Sequence, residues 1–398
     1  MQKNLNIPLV IFFVLLIVTL APLPIDQYAP SLPAMATYFG SSIALMQWTI
    51  SIYIFTFAIS QLICGPLSDH YGRRPVVLLS MILFLIGDLI CIFSHDASVL
   101  LAGRFIAGLG VGAAALTATA LMGDTLEGDK LTKVSSYFGM TYALIPILAP
   151  VIGGYLQDYF GWRSNFIFLF CYEAIAFLLI LFFLPETNPR KVGAQLHPKV
   201  MVQSYLRVLS NRAYVGAALS NGFLWSLLIV FSVMAPFLVE NRLGYSATHY
   251  GYVALAVGVA FLIGTKLAGT LIKFWPQKKC VHIGASCMIA MSIIMLIITL
   301  TGYLNQWLII IPTFIIVVSL SLVFISNYVI GLSVFHGSDL MGTASAGLGV
   351  IALLVCTIIT TVITFFKPHS AVSLAGVYVA LTVLGTLSYT LGQTKKSS

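Results

Sequence analysis

Long apolar stretches alternate with short polar segments along the whole chain. Each stretch is long enough to cross roughly 30 Å of hydrocarbon as a helix, which takes about 20 residues. We therefore predict an all-α membrane protein with twelve transmembrane helices. They cover approximately residues 7–37, 42–64, 75–94, 98–122, 134–157, 164–184, 213–239, 248–272, 279–302, 306–334, 341–366 and 371–392.

One longer polar segment separates the predicted helices into two sets of six. It contains two prolines and several basic residues, and its first part has little to bury, which is typical of a solvated linker. Further on, Val202, Leu206 and Leu209 recur at helical spacing, which predicts a short helix along the membrane surface. The predicted organisation is an N-terminal six-helix bundle (1–187), a cytoplasmic linker (188–212) and a C-terminal six-helix bundle (213–398).

The basic residues are distributed unevenly between the two sides of the predicted membrane. If the N-terminus is cytoplasmic, the external segments hold only Arg163, Arg242 and Lys367. The cytoplasmic segments then hold Lys3, Arg73, Arg74, Lys130, Lys133, Arg190, Lys191, Lys199, Arg207, Arg212, Lys273, Lys278, Lys279, Lys395 and Lys396. Short cytoplasmic loops carry an excess of Lys and Arg, so both termini are predicted to be cytoplasmic.

Composition excludes several classes of protein. Hydrophobic residues make up 59% of the chain and charged residues 8%, which no ordinary soluble domain shows. The net charge of +8 follows from membrane topology and does not indicate nucleic-acid binding. The six cysteines show no ligand spacing, so no metal site is expected. No phosphate-binding loop and no clustered His, Cys or acid set occurs, which argues against a nucleotide-driven pump and a membrane enzyme.

A short charged run, Gly65–Pro75, lies between the second and third predicted helices. We interpret it as a tight turn at the cytoplasmic surface, because its glycines and proline permit a reversal and its charges cannot lie in hydrocarbon. Its spacing, with Gly65, Asp69 and Gly72 followed by Arg73 and Arg74, resembles the loop between helices two and three of major facilitator transporters. The resemblance implies the major facilitator fold.

Other segments resemble the same superfamily. Arg104–Gly112 is similar to the start of its fourth helix. Gly139–Gly154 resembles the fifth-helix motif of its antiporters, although Ala149 replaces a glycine common there. Ile25–Pro33 and Pro185–Thr187 resemble the Bcr/CflA-type branch of drug:proton antiporters. Gly269–Lys279 follows the eighth helix as a degenerate copy of the charged run, as two parallel repeats would require.

Acidic and basic residues inside predicted helices need a physical reason, because each ionised side chain there costs about 2.5–3.5 kcal/mol. Asp26 lies in a helix interrupted by four prolines, where irregular backbone can line a cavity. We predict that Asp26 carries a coupled proton and that Arg104 is its partner; the alternative is a static ion pair. Asp88 and Glu173 lie on helices that the resemblance places outside the cavity, and we interpret them as neutral packing residues.

Two further groups of residues receive roles from the resemblance. Gly65, Asp69, Gly72, Arg73, Arg74 and Asp124 are assigned to conformational gating, with Arg73 paired to Asp124 or Glu127. The substrate cavity is assigned Gln27, Tyr53, Tyr142, Asn221, Trp225 and Asn327. Gly108 and Gly112 form a small-xxx-small pair, which indicates close helix packing.

The function expected is proton-coupled efflux of amphipathic small molecules by alternating access. Transport of an endogenous metabolite, such as a siderophore or organic anion, is the alternative. The expected partners are a small-molecule substrate, protons and the lipid bilayer, with no nucleic acid and no cofactor beyond the proton gradient. A monomer in the bacterial inner membrane is expected.

Overall fold

A computed structural model describes residues 7–188, 198–335, 337–338, 340–365 and 370–393. Throughout these ranges the regular structure is helical and no strand occurs. Twelve helical spans in the described residues are long and apolar enough to cross a membrane, which confirms the predicted fold class. The basic residues Lys3, Arg190, Lys191, Lys367, Lys395 and Lys396 lie outside the described ranges, and the predicted orientation stays a prediction.

The chain divides into two compact units, residues 1–197 and 198–398, and each contains six spans. We refer to them as the N-terminal half and the C-terminal half. The α-helices of the N-terminal half are α1 (Ile7–Thr19), α2 (Leu23–Asp26), α3 (Leu32–Tyr38), α4 (Ile43–Tyr71), α5 (Arg73–Ile92), α6 (Ala97–Thr125), α7 (Gly128–Phe160) and α8 (Arg163–Phe183). Those of the C-terminal half are α9 (Pro198–Leu209), α10 (Arg212–Pro236), α11 (Ala247–Leu271), α12 (Gln277–Leu300), α13 (Gln306–Ser333), α14 (Met341–Ile363) and α15 (Ala371–Gln393).

The segment between the two sets of spans contains a helix, as the spacing of its apolar residues predicts. This helix is α9, which begins at Pro198. Residues 189–197 lie outside the described residues, so the limits of the linker stay a prediction.

The first span is broken rather than continuous. α1 ends at Thr19, α2 has a single turn, and a 3₁₀ segment (Ala29–Ser31) leads into α3. Pro22, Pro24, Pro30 and Pro33 occur at these interruptions. A proline lacks the N–H that continues the helical ladder, so the breaks follow directly from the sequence.

The charged run Gly65–Pro75 was predicted as a turn, and this prediction is wrong for most of its length. α4 continues through Pro66 to Tyr71, and α5 begins at Arg73. The reversal takes place at Gly72 alone, whose φ of 103° lies in the region that favours glycine. A single residue suffices because the helices on both sides extend to it.

The later spans follow the predicted pattern with small differences in their ends. α10 runs into a π-helical segment, Phe237–Arg242, which lengthens the seventh span beyond the predicted residue 239. The predicted end of the eleventh span, residue 366, lies outside the described residues. In the C-terminal half, α10 packs against α13, α14 and α15 and forms the centre of that bundle.

α6 forms the centre of the N-terminal half, where it packs against α4, α5 and α1. Glycines make this close packing possible. A Cβ atom at Gly108 would lie 2.5 Å from the Tyr53 carbonyl oxygen on α4, and one at Gly112 would overlap Ser60. The prediction of close packing at these two glycines is confirmed. A further glycine, Gly110, faces α5 and accepts a hydrogen bond from the Ser80 hydroxyl through its carbonyl.

We expect Gly110→Ala to destabilise the N-terminal half. The added Cβ would lie 2.7 Å from the Cα of Phe84, so two helix backbones would have to separate, at a cost of about 1–3 kcal/mol. Gly123→Ala is the matched control in the same helix, because nothing lies within 4 Å of its Cβ position. Thermal unfolding of the purified variants should show a lower midpoint for Gly110→Ala alone, and equal midpoints would contradict this packing.

Candidate functional site

Buried charged side chains identify the candidate site. Among the described residues, four acidic or basic side chains are buried: Asp26, Asp88, Arg104 and Glu173. All four belong to the N-terminal half. Charges in a membrane-spanning bundle are costly unless they are paired or functional, so these four residues define where chemistry is expected.

Arg104 is fully buried on α6 and is held by the broken first span. Its Nη2 donates a hydrogen bond of 2.8 Å to the carbonyl oxygen of Pro24. α2 ends at Asp26, and the helical hydrogen bond from the Gln27 N–H goes to the Leu23 carbonyl, so the Pro24 carbonyl is available to the guanidinium. The guanidinium carbon also lies 4.5 Å from the ring centroid of Tyr28 and 4.1 Å from that of Tyr53. Two aromatic faces therefore stabilise the buried cation.

The predicted partnership of Asp26 and Arg104 stays a prediction. Asp26 is buried at 8% exposure, as a residue lining the broken helix should be. However, the Arg104 hydrogen bond goes to the backbone of Pro24, and Nε and Nη1 have no hydrogen-bond partner among the described residues. The broken helix explains the contact with Pro24, because it presents a free carbonyl oxygen to the guanidinium. The assignment of Asp26 to proton coupling stays a prediction.

Asp88 and Glu173 face each other across α5 and α8, which pack together. Both are fully buried, and they are in electrostatic contact with each other and with Arg104. Their four carboxyl oxygens have no hydrogen-bond partner among the described residues. Each acid was recognisable in the sequence as a lone charge in an apolar helix, but their proximity was not. We name Arg104, Asp88, Glu173, Tyr28 and Tyr53 the arginine cluster.

Gln27, predicted to line the cavity, belongs to a second buried network. Its Nε2 donates to Oδ1 of Asn165 at 2.5 Å, and Asn165 Nδ2 donates to the hydroxyl of Ser31 at 2.7 Å. Gly153 lies against this network, and a Cβ there would overlap the carbonyl of Gln27. Gly153 lies in the segment that resembles the antiporter motif, and it is thus a place where α7 contacts the broken first span.

The other predicted cavity residues occupy different environments. Asn327 on α13 donates to the Ser220 hydroxyl at 2.8 Å, whereas the amide group of the buried Asn221 has no hydrogen-bond partner among the described residues. Trp225 is half-buried between the rings of Phe261 and Phe324. In the N-terminal half, Tyr142 is half-buried and stacks on Phe138, while Tyr53 belongs to the arginine cluster. Their role in binding substrate stays a prediction.

The residues assigned to gating meet where α4 turns into α5. Arg73 contacts Asp69 at 2.5 Å and Asp124 at 3.1 Å, so of the two acids predicted to pair with it the structure selects Asp124. Arg73 also donates to the Ser68 hydroxyl at 2.7 Å. The Arg74 guanidinium donates to the Leu181 carbonyl at 2.6 Å. These contacts tie α4, α5, α6 and α8 together at one end of the N-terminal half.

Glu186 completes this junction and was not identified from the sequence as a contributor. Its two carboxylate oxygens accept from the backbone N–H groups of Arg73 and Arg74, at 2.9 and 3.1 Å. A carboxylate at a helix N-terminus satisfies free amides and is favoured by the helix dipole. A Cβ at Gly72 would lie 2.5 Å from Glu186 Oε2, so this glycine provides both the turn and the space for the cap. We name Asp69, Arg73, Asp124 and Glu186 the junction network.

Comparison with known proteins identifies the family. The family model described as Major Facilitator Superfamily matches residues 9–389. The chain belongs to this superfamily. It is a membrane transporter and not an enzyme, as the sequence predicted. The described residues contain no group of three or more His, Cys, Asp or Glu side chains able to hold a metal ion.

Individual relatives agree with this membership. The chain is 27% identical over 388 residues to the uncharacterized MFS-type transporter YdgK of Bacillus subtilis strain 168, covering 97% of this chain and 95% of the relative. It is 31% identical over 264 residues to the multidrug resistance protein MdtL of Salmonella paratyphi B, covering 66% of each. A crystal structure of a D-xylose-proton symporter superposes with a TM-score of 0.77 at 18% identity, covering 95% of this chain and 96% of that one. The structural likeness shows the fold alone.

We expect Glu186→Ala to loosen the first turn of α5. Loss of a helix cap costs about 0.5–2 kcal/mol, so exchange of the amide hydrogens there should accelerate roughly two- to thirtyfold. Hydrogen exchange followed by mass spectrometry of peptides covering the start of α5 measures this directly. Glu127→Ala is the matched control, because Glu127 is exposed and its side chain caps no amide. Equal exchange in both variants would show that the cap is not formed in solution.

Proposed function

We propose that the protein is a proton-coupled exporter of amphipathic small molecules that works by alternating access. The chain has two six-span halves. In transporters with this architecture, one half rocks against the other around a substrate site near the membrane midplane. The uneven distribution of basic residues supports an orientation with both termini in the cytoplasm. Bacterial relatives support a location in the bacterial inner membrane, where we propose that the protein is a monomer.

The proposal of proton coupling is supported by the burial of Asp26 in the proline-broken first span, which Arg104 contacts. An ionisable acid buried in irregular backbone can change its charge when its surroundings change, because the pKa of a buried carboxyl depends on solvation and on nearby charges. A change in the position of Arg104 would alter the charge that Asp26 experiences. Protonation of Asp26 and movement of the broken span are thereby linked.

The relative named multidrug resistance protein supports an amphipathic drug-like substrate. The surroundings of Arg104 favour a second candidate substrate, an endogenous organic anion. Arg104 is fully buried, and two of its N–H-bearing nitrogens, Nε and Nη1, are without hydrogen-bond partners among the described residues. A carboxylate on a substrate would satisfy such donors. Transport measurements with a panel of cationic, neutral and anionic compounds distinguish the two candidate substrate classes.

We expect Asp26→Asn to abolish accumulation driven by a pH gradient in proteoliposomes while substrate exchange without a gradient persists. An amide has a similar shape but cannot carry the proton, so coupling is lost and binding is kept. Asp129→Asn is the control, since Asp129 is exposed in the first turn of α7. Accumulation should be measured for each compound of the panel that the wild-type protein transports.

Two results would contradict this proposal. Full gradient-driven accumulation by Asp26→Asn would assign proton coupling to another group. Wild-type transport that ignores the imposed pH gradient for every transported compound would exclude proton coupling altogether.

A further inference from the structure

Close helix packing places Asp88 of the arginine cluster next to Arg104. Gly87 precedes Asp88 on α5, and Gly103 precedes Arg104 on α6. A Cβ at Gly87 would lie 2.7 Å from the Cα of Ala107, and one at Gly103 would lie 2.8 Å from the Gly87 carbonyl oxygen. The two backbones therefore approach each other directly beside the charged residues. This approach keeps Asp88 and Arg104 at close range inside the bundle.

The charge balance of the three ionisable residues depends on one proton. With both Asp88 and Glu173 ionised, the two carboxylates exceed the single positive charge of Arg104 and leave a net negative charge in a low-dielectric interior. With one proton shared between the two carboxyls, the three residues are neutral. Like-charged carboxylates at this range do not readily ionise together.

The other groups around the pair do not supply the missing positive charge. Asp26 on the broken span is itself acidic. The remaining ionisable groups that face the pair are Tyr53 from α4 and Cys91 from α5, while Tyr28 from the broken first span packs on Arg104. All of these are neutral or negative, so the proton on the pair is the charge that balances the site.

Unused donors beside the pair indicate a second arrangement. Nε and Nη1 of Arg104 and the hydroxyl of Tyr53 are fully buried, and none has a hydrogen-bond partner among the described residues. Buried polar atoms that serve packing are normally satisfied. If the shared proton leaves, the second carboxylate needs new donors, and these are the donors available. The cluster therefore has the groups for a protonated arrangement and for a deprotonated one.

We propose that Asp88 and Glu173 form a proton-binding site, distinct from Asp26, with Arg104 as its counter-charge. The pair takes one proton from a hydronium ion. The hydronium ion becomes water, and one carboxyl O–H bond is formed. Release reverses this step, and the freed carboxylate accepts from the unused N–H groups of Arg104. This binding does not depend on transport.

The use of this proton in transport rests on the proposed function. Arg104 donates to the Pro24 carbonyl and packs on Tyr28, so it connects the pair to the broken first span. When the pair loses its proton, its attraction for the guanidinium increases and competes with the Pro24 carbonyl. The state of the pair is thus transmitted to the segment that carries Asp26.

Infrared spectroscopy of the full-length protein in lipid, without substrate, tests the site directly, because a protonated carboxyl has a C=O band that a carboxylate lacks. We expect a buried carboxyl band in the wild-type protein that disappears as the pH rises. Glu173→Gln and Asp88→Asn each leave one carboxylate opposite Arg104, so each variant should remove this transition or move it to lower pH by about one unit or more. The matched control Glu127→Gln should leave it unchanged. The transition should survive in Asp26→Asn.

A carboxyl band that does not change with pH while the protein stays folded would show a static packing contact and overturn the proposal. The same conclusion follows if the transition is unchanged in Glu173→Gln. Should the single variants fail to fold, the exchange variant Asp88→Glu/Glu173→Asp keeps both acids and alters their reach. Its transition should shift in midpoint, and an unchanged midpoint would assign the band to another residue.

Transport measurements separate this inference from the proposed function. In proteoliposomes, Glu173→Gln should lower gradient-driven accumulation about tenfold or more. If wild-type transport is not proton-coupled, the proposed function fails while the infrared titration still decides the proton site. If transport is proton-coupled and Glu173→Gln keeps full accumulation, the pair has no part in coupling.

Discussion

A fully buried guanidinium is the constraint on which the N-terminal half depends. Arg104 does not lose its charge, and a membrane-spanning bundle gives it little water, so the protein must supply the compensation. Three kinds of group do so: a backbone carbonyl freed by a helix break, the faces of two tyrosines, and the nearby acids Asp88 and Glu173. The broken first span therefore has an electrostatic purpose as well as a conformational one.

The two halves solve the problem of polar groups in different ways. Buried charged residues among the described residues all lie in the N-terminal half, whereas the buried polar groups of the C-terminal half are neutral, such as Asn221, Asn327 and Ser220. An amide can exchange hydrogen bonds with a substrate but cannot carry a proton at physiological pH. The proposed proton coupling is therefore assigned to the N-terminal half, and the C-terminal half offers neutral hydrogen-bonding groups.

Close backbone approach connects the centre of the N-terminal half to its end. α6 packs against both α4 and α5 through glycines, so a displacement of one of these helices has little room to be absorbed by side chains. At the α4–α5 turn the junction network joins the same helices through charges, with Glu186 fixing the start of α5. The proposed proton site and the junction network therefore contact the same set of closely packed helices.

The sequence by itself determined the number of spans, their division into two sets of six, the break in the first span and the identity of the lone charged residues. These features depend on hydrophobic length, proline chemistry and the cost of charge in hydrocarbon, which are local properties of the chain. Only the tertiary structure decided that Asp88 faces Glu173, that Arg104 donates to Pro24, and that Glu186 caps α5. These contacts join residues far apart in the sequence, and their formation depends on which helices pack together and how closely their backbones approach. Helical continuity through Pro66 was likewise decided by structure, because Gly72 alone makes the turn.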